Sequence, residues 1–581
     1  MIRDLLFYFR RWASVLLVCV LPGVLRTANL TRMGNFTAVD TTWKSLSLRE
    51  KIGQTMIINS LIYDHEKFRG GTLSTFFDRY PVGGFFMADW YFNLYMPRDS
   101  IVYAMKKSIQ KYSENSKWPL IFMEDYERGV GERVPPYTHL PVEMALGAAS
   151  SEQLCYEYGE CVALEAKDLG VNWLLHPVAD LSLNPLHPLV NERAIGDQPK
   201  SAVLLLSRQV AGLQDHGIIA TVKHFPGDGV SIRDQHLITA SNTLDWDTWQ
   251  SMYGDLFQGL IDQGAAAIMV GHITFPAVQK KTNSLFYLPS TMSREVIDLV
   301  KERMHFDGVV VSDAMNMGGA AGYYPNQLET AVACFEAGID LMLWPSLMYM
   351  DTLEIRIRRG EISEERLNDA VQRIWRIKER FGLMQTDRPL FSPLTEPDRS
   401  HIHRTAEAVA GKAVTLIRGD KTLLPVKAGE SPNLLLVVIS EQDKTGLFDL
   451  TKRLLEERGF QVTVKHGLSF FQWEWRADQL EDYDKLLICF ENRYLNPVGI
   501  PFLRGQEAES VWMINLLPPE KVIAISYSNP YFVNFYFEHA PVQINAYSSD
   551  PYMQEAVVKC LTGELPFHGI SPVRIDHEIL K

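Results

Sequence analysis

Ile219-Ala-Thr-Val-Lys-His224 is a short, largely apolar run that ends on a lysine and a histidine. A strand reads as a continuous apolar run when helices cover both of its faces, as they do in a parallel sheet. Similar runs occur at residues 56–58, 84–87, 120–123, 173–175, 267–270, 309–311 and 341–344, so 219–222 is the fifth of eight. Helix-like segments such as 153–169, 200–216, 246–263 and 293–304 lie between them. Ser47-Leu-Arg-Glu50 is a capping box that opens the first helix. Eight strand–helix alternations predict a parallel sheet closed into a (β/α)8 TIM-type barrel over residues 37–395. An open doubly wound sheet is the competing arrangement, because the first strand is weakly marked.

A Pro-rich stretch at 389–397 separates this region from the remainder. Runs at 434–439, 485–490 and 521–526 read as buried strands, and 451–458 and 553–561 as helices. They predict a smaller α/β sandwich domain over residues 396–581. At the other end, Arg10 and Arg11 precede an apolar run at 13–25 that Pro22 and Gly23 interrupt. It is short for a membrane span and is similar to a signal-peptide core. Residues 1–36 are therefore read as a leader or anchor, with export or membrane association favoured, or as a mis-assigned start. In the second case Met33 begins a cytoplasmic chain.

The chain has 581 residues, 46% of them hydrophobic, enough for substantial cores. Its net charge of −13 and lack of basic runs argue against a nucleic-acid partner. Six scattered cysteines form no CxxC pair and read as buried thiols rather than a disulfide framework or a zinc site. No H-E-x-x-H is present, and Gly227-Asp-Gly229 is too short and too acidic for a phosphate loop, so neither metal nor cofactor is expected.

Barrel enzymes place their chemistry after the C-terminal ends of strands. Asp125 and Glu127 follow the third strand here, and Asp180 and Arg193 the fourth. Lys223 and His224 end the fifth, with Asp234 and His236 in its loop; His272 follows the sixth and Asp313 the seventh. Each has an ordinary explanation alone: Asp313 as a helix cap, His224 or His272 as structural, Arg193 paired with Glu192 or Asp197. Together they read as a site for a neutral, polyhydroxylated substrate.

Lys223-His-Phe-Pro-Gly-Asp-Gly229 with Asp234-Gln-His236 resembles the KHFPGHG…DSH signature of glycoside hydrolase family 3 β-N-acetylhexosaminidases. Val309-Val-Val-Ser-Asp-Ala-Met-Asn-Met317 resembles that family's nucleophile segment, and Asn184-Pro185 with Arg193 and Gly196 its N-P…R-x-x-G stretch. Ala333 to Leu343 is similar to its A-x-x-A-G-x-D-L-L-L run. Asn545-Ala-Tyr547 and Pro572-Val-Arg-Ile575 are similar to closing motifs of two-domain members.

The resemblance implies a retaining exo-glycosidase that removes terminal β-linked N-acetylhexosamine, such as N-acetylglucosamine, through a covalent glycosyl-enzyme. Asp313 would be the nucleophile, His236 the acid/base, and Asp234 the group that orients His236. Asp125, Arg193, Lys223, His224 and, less firmly, His272 would bind the sugar. The partner is an oligosaccharide or small glycoside, such as a peptidoglycan or chitin fragment. The oligomeric state is left open.

Two departures stand out. The family's DQEGGR is Asp125-Tyr-Glu-Arg-Gly-Val here, which unsettles the contacts to the sugar's outer hydroxyls. Asp228 replaces a histidine, and its carboxylate could act on His236. Rival readings are a β-glucosidase or β-xylosidase using Glu441 or Glu491 as acid, a β-N-acetylglucosaminide phosphorylase, and a non-catalytic carbohydrate-binding protein.

Overall fold

The computed structural model describes residues 41–60, 71–282, 286–420, 422–440, 446–468, 480–491, 503 and 505–575. The expected leader at 1–36 and Glu441 lie outside them. The eight expected barrel strands are β1 (Met56–Asn59), β2 (Gly84–Phe86), β3 (Ile121–Glu124), β4 (Trp173–Leu174), β5 (Ile219–Phe225), β6 (Ala267–Val270), β7 (Val309–Ser312) and β8 (Met342–Leu343). They pair in parallel in the order β8-β1-β2-β3-β4-β5-β6-β7. The two ends of the sheet meet through a parallel bridge between Val311 and Leu341, where the Ser312 N–H donates to the Leu341 carbonyl at 3.0 Å. That contact closes the barrel and removes the open-sheet alternative.

Alternation along the strands explains which side chains reach the mouth. Ile121, Met123, Ile219, Val309 and Val311 pack inside the barrel, whereas Phe122, Val222 and Val310 pack against the surrounding helices. Inside, the Trp173 indole N–H donates to Thr221 Oγ1 at 2.6 Å. Successive side chains of a strand point to opposite faces. Counting by twos along the inward face, 121-123-125, 219-221-223 and 309-311-313 end on Asp125, Lys223 and Asp313. A one-residue slip would drive these charges into the apolar layer under the helices, so the register is firmly held. In β5 the pairing with β6 shifts between Lys223 and Phe225. The chain thereby brings His224 to the mouth as well and returns Phe225 to the outer core.

Six further strands form a second sheet: β9 (Thr415–Arg418), β10 (Asn433–Ser440), β11 (Gln461–His466), β12 (Lys485–Glu491), β13 (Val522–Ser526) and β14 (Val542–Asn545). Their order is β9-β14-β13-β12-β10-β11, parallel except for β9 against β14. Three of them were expected from their apolar runs. The other three carry polar residues at alternate or terminal positions, as in Gln461-Val-Thr-Val-Lys-His466, and escape a search for continuous runs. The Pro-rich stretch is also partly helical. Pro397 lies in the first turn of a helix, Glu396–Ala413, which opens on a Thr395/Asp398 capping box. This helix packs on both Glu152–Leu169 of the barrel layer and Pro551–Thr562 beside the second sheet. Five cysteines are buried and unpaired, as expected; Cys19 is outside the described residues. Among the described residues no helix is long and apolar enough to cross a membrane.

Candidate active site

The inward-facing residues at the C-terminal end of the strands surround a cavity of about 800 Å³. Asp125, Arg193, Lys223, His224, His236 and Asp313 all line it. Asp234 is buried directly behind His236, and its Oδ1 meets His236 Nδ1 at 2.8 Å while also accepting the His236 backbone N–H. With Nδ1 engaged, the proton available for chemistry is carried on Nε2.

Asp313 sits where β7 ends. One oxygen accepts the Ala314 N–H at 2.8 Å, and Oδ2 is buried with no hydrogen-bond partner among the described residues. Burial pushes its pKa up, but the imidazoles of His224, His272 and His236 outweigh this and hold the carboxyl below the usual aspartate value. His224 is fixed by Asp180, which takes its Nδ1 at 2.6 Å and its backbone N–H at 3.2 Å. Burial opposes charge on His224, yet Asp180 and Asp313 raise its pKa above that of a free histidine. His272 differs from the expectation. It is fully buried, outside the cavity wall, with Nδ1 on Thr291 Oγ1 and Nε2 on the Ala314 carbonyl. Burial lowers its pKa, and both ring nitrogens are spent on the packing around the Asp313 turn rather than on a ligand.

On the opposite wall Glu127 joins two cations. Arg193 grips it through Nε and Nη2 at 2.7 and 2.8 Å, and Lys223 Nζ lies 2.7 Å from Glu127 and 2.8 Å from Asp125. Although burial opposes ionisation, Arg193 and Lys223 hold the Glu127 carboxyl well below the usual glutamate range. Arg193 is thus paired with neither Glu192, which takes Arg128, nor Asp197, which accepts the Arg574 N–H.

The loops are fastened to one another. Gly318 and Gly319, just after the Asp313 turn, donate their N–H groups to the carbonyls of His236 and Gln235 at 2.8 and 2.9 Å. Asp228 faces His187 rather than His236: His187 Nδ1 accepts two backbone N–H groups, so Nε2 donates to Asp228 at 2.7 Å. The second domain holds the loop that carries Arg193. Asn529 donates to Asn191, and the Tyr531 hydroxyl to the Ser182 carbonyl. Among the described residues, nothing beyond Trp344 lines the cavity. Glu491, the rival acid, is buried in the second sheet on Ser440 and Ser549.

Sequence reading missed Arg133, Trp90 and Trp344 in the cavity wall. Trp90, Trp344 and Phe86 pack ring to ring at 5.1 to 5.6 Å, an apolar platform suited to a sugar face. Trp90 lies in the first turn of the helix Asp89–Tyr95 that follows β2, where the strand alternation no longer runs. Arg133 had no periodic signal either, since it follows an irregular loop and reaches back to Asp89 at 3.5 Å.

Residues 47–377 match the Glycosyl hydrolase family 3 N terminal domain. The Beta-N-acetylglucosaminidase/beta-glucosidase of Cellulomonas fimi is 31% identical over 481 residues, which cover 78% of this chain and 83% of the relative. Beta-hexosaminidase A of Pseudoalteromonas piscicida is 27% identical over 426 residues, 68% of each chain. Among solved structures, the beta-glucoside phosphorylase BglX bound to 2FGlc superposes with a TM-score of 0.80 at 26% identity, over 94% of this chain and 96% of its own. The family 3 beta-N-acetylglucosaminidase from Paenibacillus sp. str. FPU-7 shares the fold with a TM-score of 0.76 at 24% identity, over 91% and 99%. A carboxylate and an imidazole on neighbouring loops of a closed barrel, with that match across more than half of the sequence, place this chain in glycosyl hydrolase family 3.

Proposed function

We propose that the protein is a retaining exo-β-N-acetylhexosaminidase. The observation that carries this reading is the shared cavity: Asp313 presents an oxygen without a hydrogen-bond partner among the described residues, and His236, oriented by Asp234, stands on a loop tied to the same turn. Asp313 attacks the anomeric carbon while His236 Nε2 passes its proton to the departing oxygen, which leaves a glycosyl ester on Asp313. The neutral imidazole then takes a proton from water, the hydroxide oxygen displaces Asp313, and the sugar leaves with its configuration kept. Asp234 stabilises the imidazolium formed at each turnover. Arg193, Lys223 and Asp125 hold the sugar hydroxyls, and His224 lies close enough to Asp313 to hold its charge. The acetamido preference is supported by the names of the Cellulomonas and Pseudoalteromonas relatives. Comparing kcat/KM for 4-nitrophenyl N-acetyl-β-glucosaminide and the plain glucoside tests it; a clear preference for the glucoside contradicts it.

A second reading, phosphorolysis, is favoured by the likeness to the beta-glucoside phosphorylase. An imidazole acid/base repels an incoming phosphate less than a carboxylate would. Sugar 1-phosphate forming in phosphate buffer, in place of free sugar, selects it.

A further inference from the structure

At the other end of the barrel a second cavity, of about 500 Å³, opens between the N-terminal ends of β3 and β4 and the segment at 381–392 that leads toward the second domain. Its composition is unusual for a chain with net charge −13. Lys117, Lys167 and Arg388 line it, and no aspartate or glutamate does. The remaining wall is apolar, hydroxylic or carboxamide, including Trp118, Phe381, Ser113 and Gln385.

Lys117 is exposed and already closes on Glu50 at 2.7 Å. Lys167 and Arg388 differ from the paired cations of the barrel. Lys223, Lys301, Arg193 and Arg366 each close on carboxylates, and Lys378 on a carboxamide and a carbonyl. Among the described residues the side chains of Lys167 and Arg388 meet no acceptor, although both are half-buried. Burial and then the Arg388 charge push the Lys167 pKa down, so the two cations are near enough to repel. A half-buried charge gains from a partner, and an anion between two like charges facing one cavity relieves their repulsion.

We propose that this cavity is a binding site for a small organic oxyanion, a carboxylate or phosphomonoester on a compact body, held between Lys167 and Arg388. The oxyanion supplies the acceptors that both cations lack, and a guanidinium fork matches its geometry. The aromatic and aliphatic wall takes the body of the ligand. Lys167 belongs to the last turn of the helix Glu152–Leu169 and Arg388 to the connecting segment. A bound anion therefore staples that segment to the barrel floor. The competing account is that the cations merely complement helix C-termini, which point to this end of the barrel.

The test uses the full chain and three probes, glucose 6-phosphate, benzoate and inorganic phosphate, each against chloride at equal ionic strength with saturating N-acetylglucosamine in the active site. Hydrogen exchange followed by peptide mass spectrometry reads residues 381–392 and 165–171. At least one organic probe should slow exchange in both segments severalfold and raise Tm, with a smaller effect from inorganic phosphate. The double variant Lys167→Met/Arg388→Met should lose both responses while its turnover of an aryl glycoside stays within about twofold of the parent. If that variant folds poorly, Arg388→Gln alone should weaken probe affinity about tenfold, the loss of roughly one charge-assisted hydrogen bond. No local protection by any probe, or protection that survives both variants, overturns the proposal. So does a Tm loss in the variants that is the same with and without probe, which is the outcome expected of helix-end complementation.

Discussion

In the proposed mechanism the Asp234–His236 pair converts a half-buried histidine into a directed acid. Asp234 accepts from both the ring and the backbone of His236, so it fixes the ring plane and the tautomer together. Asp234→Asn should keep the fold and lower kcat/KM by about 10²–10⁴-fold, the usual share of a positioned general acid/base. Circular dichroism with steady-state kinetics checks both halves. Glu127 works differently, as the counter-charge of Arg193 and Lys223. Its folded pKa lies well below 4.5, so the stability it brings is fully present above pH 4.5 and is lost as pH falls through the folded value. Glu127→Gln should lose on the order of 3 kcal/mol at neutral pH, because two buried cations are left with one anion fewer. Its Tm should also lack the parent's acid-side decline; parallel Tm–pH curves would show that Glu127 is not that counter-charge. At this scale Asp125, Lys223, His224 and Asp313 were legible, since each extends or abuts a recognisable apolar strand. Arg133 was not legible, because an irregular loop gives no periodicity from which to count. The misplacement of His272 has the same root. A position after a strand does not say whether a side chain turns to the cavity or, as here, into the packing behind it.

Among the elements, the loop after β5 and the turn after β7 behave as one unit. Their junction is two backbone hydrogen bonds that require glycine at 318 and 319. A Cβ on Gly318 would lie 2.3 Å from the Leu237 carbonyl oxygen, and one on Gly319 2.6 Å from that of Gln235. Gly318→Ala should push the loop that carries His236 away from Asp313. We expect kcat to fall by about tenfold or more with KM changed little, since proton-transfer geometry is lost while the sugar-binding wall stays intact. Stopped assays on substrates of graded leaving-group pKa should show the defect growing as the leaving group worsens; a uniform defect would contradict this. The strands themselves were readable as runs because both faces are dry. The missed β9, β11 and β14 show the limit of that signal, for a strand with polar alternate positions resembles a loop when no neighbour is known. The capped helix at Glu396–Ala413 was hidden by its own proline, which breaks a helix interior but suits a first turn.

Across the whole molecule, the second sheet gives no described side chain to the cavity but braces the loop that does. Tyr531 and Asn529 hold Ser182 and Asn191, the latter in the same short helix as Arg193. Tyr531→Phe should cost about 1 kcal/mol of stability and raise KM a few-fold while kcat stays near the parent value. Urea unfolding beside kinetics checks this, and a change confined to kcat would show that the brace acts on chemistry instead. Nothing in the sequence announced this contact. It joins residues more than three hundred apart, and neither partner belongs to a motif.

The proposed retaining reaction requires Asp313 and His236 to serve the same sugar carbon in two successive steps. With His236→Ala and a 2,4-dinitrophenyl N-acetyl-β-glucosaminide, whose leaving group needs no proton, the first step is spared and the second is slowed. Mass spectrometry of the quenched enzyme should then find the sugar esterified to the peptide that carries Asp313, and azide should release it as the β-glycosyl azide. A label on another carboxylate, or full turnover of unactivated substrates by the variant, would contradict those roles for Asp313 and His236.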